Sequence, residues 1–129
     1  MNRRAIVKGA LGGVVGLTLA PFARSAFAQE SAAIVPVRDG FVMLTGAGGN
    51  ILVRSASDGQ VLVDSGAAQF ADAVLARLRG LPGAGRVGTL FNTHWHRDQV
   101  GGNAALGRSG ATIIAHEKTR AHLATDYYL

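Results

Sequence analysis

Short apolar runs separated by turn residues fill the first part of the chain after residue 32. The runs stand at residues 33–37, 41–44, 51–53 and 61–63. The segments between them, Arg38-Asp39-Gly40, residues 46–50 and Ser57-Asp58-Gly59, are rich in Gly, Asp and Asn, which favour turns. This pattern predicts four consecutive β-strands, of which the first two form a hairpin.

A helical period follows these strands. Apolar residues recur at helical spacing at Phe70, Ala73, Val74, Leu78 and Leu81, and Gly80 and Pro82 are expected to end the helix. Residues 87–92 and 112–115 predict two more strands with a loop between them, and residues 117–124 predict a short helix. The order β-β-β-β-α-β-loop-β-α predicts a fold of the α/β (α+β) class.

The first 28 residues have the order of a signal peptide. Arg3, Arg4 and Lys8 precede an apolar run at residues 9–20, and the small-residue end Ala26-Phe27-Ala28 predicts cleavage after Ala28. The Arg3-Arg4 pair is typical of twin-arginine export, and a general secretory leader is the alternative. We therefore expect a periplasmic or secreted protein that contacts the export machinery through residues 1–28. The apolar run is too short to span a bilayer, so no integral membrane segment is expected after cleavage.

Charge and composition exclude several classes of protein. The net charge is +5, but residues 1–28 hold four basic and no acidic residues, whereas the remainder holds nine basic and eight acidic ones. A nucleic-acid partner is therefore not expected. The chain has no cysteine, which excludes a disulfide scaffold and a cysteine-based metal site. A hydrophobic content of 48% excludes intrinsic disorder.

The segment from Asn92 to Asn103 contains the candidate metal-binding residues. It reads NTHWHRDQVGGN and follows a predicted strand directly. Residues i and i+2 of an extended segment point the same way, so His94 and His96 can present two imidazoles to one point, and Asp98 follows on that side if the extension persists. Imidazole and carboxylate are suitable ligands for zinc and other divalent ions. The spacing favours a metal site over the alternative of ordinary loop histidines.

The His-x-His-x-Asp segment followed by Gly-Gly resembles the signature of the metallo-β-lactamase superfamily. Val63-Asp64-Ser65-Gly66 is similar to that family's upstream aspartate turn, and residues 111–117 resemble the strand after its metal loop. The resemblance covers residues 33–129. It implies that residues 29–129 form the N-terminal half of a sandwich of two sheets flanked by helices (αββα), apparently truncated at Leu129.

The resemblance also implies roles for individual residues. His94 and His96 would be two of three histidines on a first zinc ion. Asp98 would bind a second ion and orient the attacking water as the catalytic carboxylate. Asp64 would brace the loop without touching metal, with a role at the entry of a helix as the alternative.

Gln99 departs from the family pattern, which has a second histidine directly after the aspartate. An amide oxygen is a poorer zinc donor than an imidazole nitrogen, so the second ion is expected to bind more weakly than the first. The family's later ligands come from its C-terminal half. His116 and His122 are six residues apart, which is neither helix nor strand spacing, and they are expected to be a strand-end and a solvated helix histidine.

Two functions follow from this sequence. The first is an exported zinc-dependent hydrolase that binds one or two ions, acts on a small-molecule substrate, and uses a metal-bound hydroxide to attack an ester, thioester, lactone or lactam carbonyl. The second is a non-catalytic periplasmic metal-binding module or an inactive remnant. In its 129-residue form the chain is expected to be inactive, poorly folded and prone to aggregation.

Overall fold

Six strands form one mixed sheet in the computed structural model, which describes residues 32–125. The predicted leader at residues 1–28 and the apolar end Tyr127-Tyr128-Leu129 lie outside the described residues. The strands follow one another in the sheet in chain order, and their bounds are β1 Ala33–Arg38, β2 Phe41–Ala47, β3 Gly49–Ala56, β4 Gly59–Val63, β5 Val87–Asn92 and β6 Thr112–Ala115. The first three pairings are antiparallel, and the β4–β5 and β5–β6 pairings are parallel. The predicted α/β class and the predicted succession of the six strands are confirmed.

One predicted turn is much shorter than expected. Residues 46–50 were predicted as a turn, but β2 runs to Ala47 and β3 begins at Gly49, so that Ala47 and Gly49 pair directly. Gly48 alone makes the connection with φ of +85°, a conformation that side chains with a Cβ rarely adopt. The two strands therefore extend further toward the end of the sheet than their apolar residues indicated.

The helices connect the parallel strands. A 3₁₀ turn at Ala68–Phe70 leads into α1 (Ala71–Arg79), which ends at Gly80, as predicted. The predicted loop between β5 and β6 is wrong in part, because it contains two short helices, α2 (Arg97–Val100) and α3 (Asn103–Arg108). These segments have no clear apolar period, and they pack on the chain after β4, where Gly66 and Val100 form an isolated bridge. The last helix is α4 (Glu117–Leu123).

The core lies between one face of the sheet and the helices. Leu44, Val53, Leu62 and Leu90 are fully buried on that face, and they pack in one cluster with Val74, Leu78 and Leu106 from the helices. Burial of side chains of this size contributes roughly 1.5–3 kcal/mol each. The core therefore fixes α1 and α3 against the strands whose ends carry the histidine loop.

Within residues 32–125, no helix is both long enough and apolar enough to cross a membrane.

Candidate metal centre

The candidate site lies at the carboxyl ends of β4 and β5. These strands are parallel, so the residues that follow each of them, Asp64 and Thr93, emerge at the same edge of the sheet. The Asp64 N–H donates to the carbonyl of Phe91 at 2.7 Å, which extends the pairing by one step. Carboxyl ends of parallel strands are the usual position of ligand sites in such sheets.

His94 and His96 lie next to each other, as the spacing predicts. Their ring centroids are 4.7 Å apart and their planes are nearly perpendicular, at 84°. His96 is still extended, with φ of −64° and ψ of 142°. His94 is half-buried and His96 is exposed, so both rings are open to a ligand from the solvent side.

A chain of hydrogen bonds orients the His94 ring. Asp64 accepts from the Thr93 N–H at Oδ1 (2.9 Å) and from the Thr93 hydroxyl at Oδ2 (2.7 Å). The Thr93 Oγ1 also lies 2.8 Å from Nδ1 of His94. Because the hydroxyl has given its only proton to Asp64, it can only accept from His94, so Nδ1 carries the proton. The Nε2 lone pair of a neutral His94 is thereby left for a ligand.

Asp64 is buried, with 5% of its surface exposed, and it does not begin a helix. The next helical turn starts four residues later, at Ala68, and Ala67 precedes it. Of the two alternatives for Asp64, the hydrogen bonds match a brace on the entry to the histidine loop. Its role toward a metal stays a prediction.

The extended conformation ends at His96, so Asp98 does not continue the alternation of the two histidines. Asp98 lies in the first turn of α2 and is exposed, and its Oδ2 accepts from Nε2 of Gln99 at 3.2 Å. Across residues 32–125, no three His, Asp or Glu side chains come together as a ready metal site. The two imidazoles are the donors that the structure brings together.

A buried polar cluster holds the loop at both ends. The side-chain amides of Asn92 and Asn103 exchange two hydrogen bonds, of 3.1 and 2.7 Å, which join the last residue of β5 to the first residue of α3. The Ser65 hydroxyl donates to Asn103 Oδ1 (2.9 Å), and the Ser65 N–H donates to the carbonyl of Gln99 (2.7 Å). The segment from Thr93 to Gly102 is therefore closed into a loop anchored on β4 and β5.

Gly101 and Gly102 let two segments of backbone approach each other closely. Both have ordinary helical φ values, of −61° and −79°. A Cβ on Gly101 would lie within 3.0 Å of the backbone of Ala68, and one on Gly102 would lie within 3.0 Å of the Ser65 carbonyl. The two glycines thus allow α2 and α3 to pack directly against the backbone after β4.

The other two histidines belong to α4. His116 precedes that helix and accepts from the Lys118 N–H through Nδ1 at 3.2 Å, so it is a helix cap. His122 is exposed, and its ring stacks on Trp95 within the histidine loop.

A shallow cleft opens beside the loop. It has a volume of about 450 Å³ and is lined by the turn between β2 and β3 together with Phe70 and Gln99. Gln99, which belongs to the histidine loop, forms part of the wall of this cleft.

Sequence reasoning missed Thr93, Ser65 and Asn103, which hold the loop by hydrogen bonds. Thr93 stands directly before the first histidine, and a hydroxyl beside a candidate ligand is a signal that could have found it. Ser65 and Asn103 are 38 residues apart in the chain. Only the tertiary structure brings them together.

The donors that are present fit a divalent metal. His94 and His96 are neighbouring imidazoles, and the Asp64–Thr93 pair sets the tautomer of His94 as a carboxylate or hydroxyl commonly does for metal-binding histidines. His94 and His96 would hold the ion, and two imidazoles match the preference of zinc for nitrogen ligands.

Comparison with known proteins identifies relatives of the same fold. A B3 metallo-β-lactamase with an active-site glutamic acid has 26% identity and a TM-score of 0.62, with 74% of this chain and 38% of that chain covered. The metallo-β-lactamase of Cronobacter sakazakii has 21% identity and a TM-score of 0.61 (75% and 36% covered). MEM-A1, a subclass B3 metallo-β-lactamase from a soil metagenome library, has 24% identity and a TM-score of 0.63, with 74% of this chain and 37% of that chain covered. Because the last two structures are less than 25% identical to this chain, their similarity shows the fold alone.

This chain spans between 36% and 38% of the length of these three structures. None of the curated proteins matches the sequence significantly. A family model described as the metallo-beta-lactamase superfamily matches residues 45–129. Since this match includes more than half of the chain as well as the whole histidine loop, the protein belongs to the metallo-beta-lactamase superfamily.

Proposed function

We propose that this chain provides the metal-binding part of an exported, zinc-dependent hydrolase that acts on a small molecule with an ester, thioester, lactone or lactam carbonyl. The observation that carries the proposal is the pair of adjacent imidazoles with His94 oriented by Thr93 and Asp64. A loop histidine without a function has no need of a buried carboxylate that fixes its tautomer. One solved structure, 26% identical to this chain, is described as a B3 metallo-β-lactamase, and this supports including a β-lactam among the candidate substrates.

The residues of this chain would share the work as follows. His94 and His96 would hold the first ion through ring nitrogens, and Asp64 and Thr93 would keep His94 in position. When bound, a divalent ion supplies Lewis acidity, which activates water and stabilises negative charge on a carbonyl oxygen. Asp98, exposed in the first turn of α2, would accept a hydrogen bond from the attacking water and bind a second ion.

Gln99 would make the second ion the weaker one. Its side chain offers a single amide oxygen, and its Nε2 already donates to Asp98. The C. sakazakii enzyme has a HARLDQ motif, which begins with His and ends in Asp-Gln, as HWHRDQ does at residues 94–99 here. Gln at this place is therefore compatible with membership of the enzyme family.

The metal site can be tested with single histidine variants of the full chain. We expect His94→Ala and His96→Ala each to lower zinc affinity about 100-fold or more, because each removes one of few coordinate bonds. Zinc content after equilibrium dialysis, measured by elemental analysis, checks this. His116→Asn is the matched control, because it removes a histidine outside the loop while asparagine can still cap α4. Equal zinc content in all four proteins would refute the site.

The reaction is tested separately from binding. The zinc-loaded protein, in a form that includes the family's later ligands, is assayed against a chromogenic ester, a thioester, a lactone and a β-lactam, with His94→Ala as the blank. Turnover that His94→Ala abolishes supports the hydrolase. Tight zinc binding with no turnover on any of the four would favour the alternative, a metal-binding module without activity.

Export is proposed from residues 1–28. Amino-terminal sequencing of the protein from an expressing bacterium should give Gln29 as the first residue. Replacement of Arg3 and Arg4 by lysine should block export if the route is twin-arginine. A protein that retains Met1 would contradict the proposed leader.

A further inference from the structure

Four aromatic rings from two elements meet at the histidine loop. His94 contacts His96, and Trp95 contacts the edge of His96 at a centroid distance of 4.7 Å and an angle of 68°. Trp95 also stacks with His122 of α4, at a centroid distance of 4.9 Å and an angle of 21°. Trp95 is therefore held between one of the proposed ligands and a helix that contributes no proposed ligand.

The fold brings α4 to this place through β6. Because β6 pairs in parallel with β5, with Asn92 opposite Ala115, the start of α4 lies at the edge of the sheet where β5 delivers the loop. His116 caps the helix, and Thr119 is buried with 7% exposure, which fixes the rotation of the helix. His122 stands three residues after Thr119 and so lies on the neighbouring surface of α4.

The loop depends on side chains for its geometry at this point. Residues 93–96 lie between the end of β5 and the start of α2, where no ladder of backbone hydrogen bonds continues. Asp64 and Thr93 fix His94 by hydrogen bonds, none of which involves His96. The Trp95 ring packs edge to face with the His96 ring. A group that holds the Trp95 ring in place would therefore also limit the orientation of His96.

We propose that His122 is a positioning residue for the metal loop: by stacking on Trp95 it holds His96 in the orientation in which both imidazoles can bind one ion. This inference rests on the proposed metal site, but the stack itself can be measured without metal. An aromatic pair of this kind typically changes an equilibrium by a few-fold to about tenfold. His122 would then act on zinc binding through Trp95 and not as a ligand.

The experiment uses the fact that Trp95 is the single tryptophan of the sequence. In the metal-free full chain, its fluorescence reports the stack directly. His122→Ala removes the ring, His122→Phe retains a stacking ring without ring nitrogens, and Lys118→Ala is the control on the same exposed helix. We expect a changed emission intensity and a red-shifted maximum for His122→Ala, and parental maxima for the other two. Far-UV circular dichroism confirms that each variant is folded.

Zinc affinity, measured by competition with a chelator, gives the second readout. We expect His122→Ala to weaken binding about three- to tenfold and His122→Phe to restore it to within about twofold of the parent. If His122→Phe were as weak as a His94→Ala variant, His122 would be a ligand and the proposal would be wrong.

The two readouts separate the possible failures. An unchanged emission spectrum in His122→Ala would overturn the stack. A changed spectrum with unchanged zinc affinity would overturn the positioning role and leave the proposed function standing. A parent chain that binds no zinc would overturn both this inference and the proposed metal site.

Discussion

At the scale of single residues, Asp64 meets three requirements at once. Its φ is +64°, a left-handed conformation that Asp and Asn tolerate better than most residues. Its N–H continues the pairing with β5, and its two carboxylate oxygens accept from the backbone and the hydroxyl of Thr93. A single buried side chain thus sets both the course of the chain after β4 and the orientation of His94.

Thr93→Val tests this connection. Valine retains the shape and β-propensity of threonine but removes the hydroxyl that joins Asp64 to His94, so the tautomer of His94 is no longer fixed. We expect zinc affinity to fall about 10–100-fold and the free energy of unfolding to fall by about 1 kcal/mol. Thr89→Val, on β5, is the control. A folded Thr93→Val variant with parental zinc affinity would contradict the role assigned to the hydroxyl.

Gln99→His is the complementary residue-scale test. An imidazole nitrogen would replace an amide oxygen at similar reach from the backbone, so the second zinc ion should bind more tightly while the first is unchanged. Calorimetric titration of the metal-free protein, in a form that includes the family's later ligands, should give one tight and one weak step in the parent. Two steps of equal affinity in the parent would show that Gln99 does not limit the second site.

At the scale of elements, the histidine loop is held by the packing of α2 and α3 on the chain after β4. Gly66 and Val100 form an isolated parallel bridge, and the Gly102 N–H donates to the Gly66 carbonyl at 3.1 Å. With Gly101 and Gly102 in near-contact with backbone, no Cβ fits between the two segments. This packing therefore fixes the position of the histidine loop relative to the sheet.

Gly101→Ala should disturb this packing. The added Cβ meets the Ala68 and Arg97 backbones, which cannot move as a flexible side chain can. We expect a loss of about 1–3 kcal/mol in the free energy of unfolding, measured with urea. Gly88→Ala is the matched control, because no atom lies within 4 Å of its Cβ position and its φ is not positive. Equal free energies of unfolding of the two variants would mean that the backbone after β4 can move to accommodate the added Cβ at little cost.

At the scale of the whole molecule, the two faces of the sheet differ. One face packs against the helices. On the other, six apolar residues stand directly opposite one another on successive strands, one from each: Val35, Met43, Leu52, Val63, Phe91 and Ile114. Val35, Phe91 and Ile114 are 46%, 43% and 45% exposed. Soluble monomers rarely expose an apolar stripe of this extent.

This apolar row should make residues 29–129 self-associate when produced alone. Replacing Phe91 and Ile114 together by threonine, which keeps β-propensity, should shift the protein toward monomer in sedimentation and light-scattering experiments. Ile113→Thr is the control, because Ile113 is 39% exposed but pairs with Leu90 on the opposite face. A parent chain that stays monomeric at high concentration would contradict this prediction.

The class of fold, the succession of strands along the chain and the pairing of His94 with His96 can be predicted from local patterns in the sequence. Alternation of apolar runs with Gly, Asp and Asn is a local signal, and the strand at residues 87–92 and the helix ends at Gly80 and Ala124 follow from it. The spacing of His94 and His96 likewise predicted neighbouring rings, because alternation along an extended chain is a local property of the backbone.

The contacts that hold the two histidines in place come from residues that are distant in the chain. Asp64 reaches Thr93 across 29 residues of sequence, and His122 reaches Trp95 from a separate helix. The helices α2 and α3 form where the periodicity predicted a loop, because they pack on the backbone after β4. Contacts of this kind leave no periodic trace in the sequence, since each depends on the parallel pairing of strands that are distant in the chain.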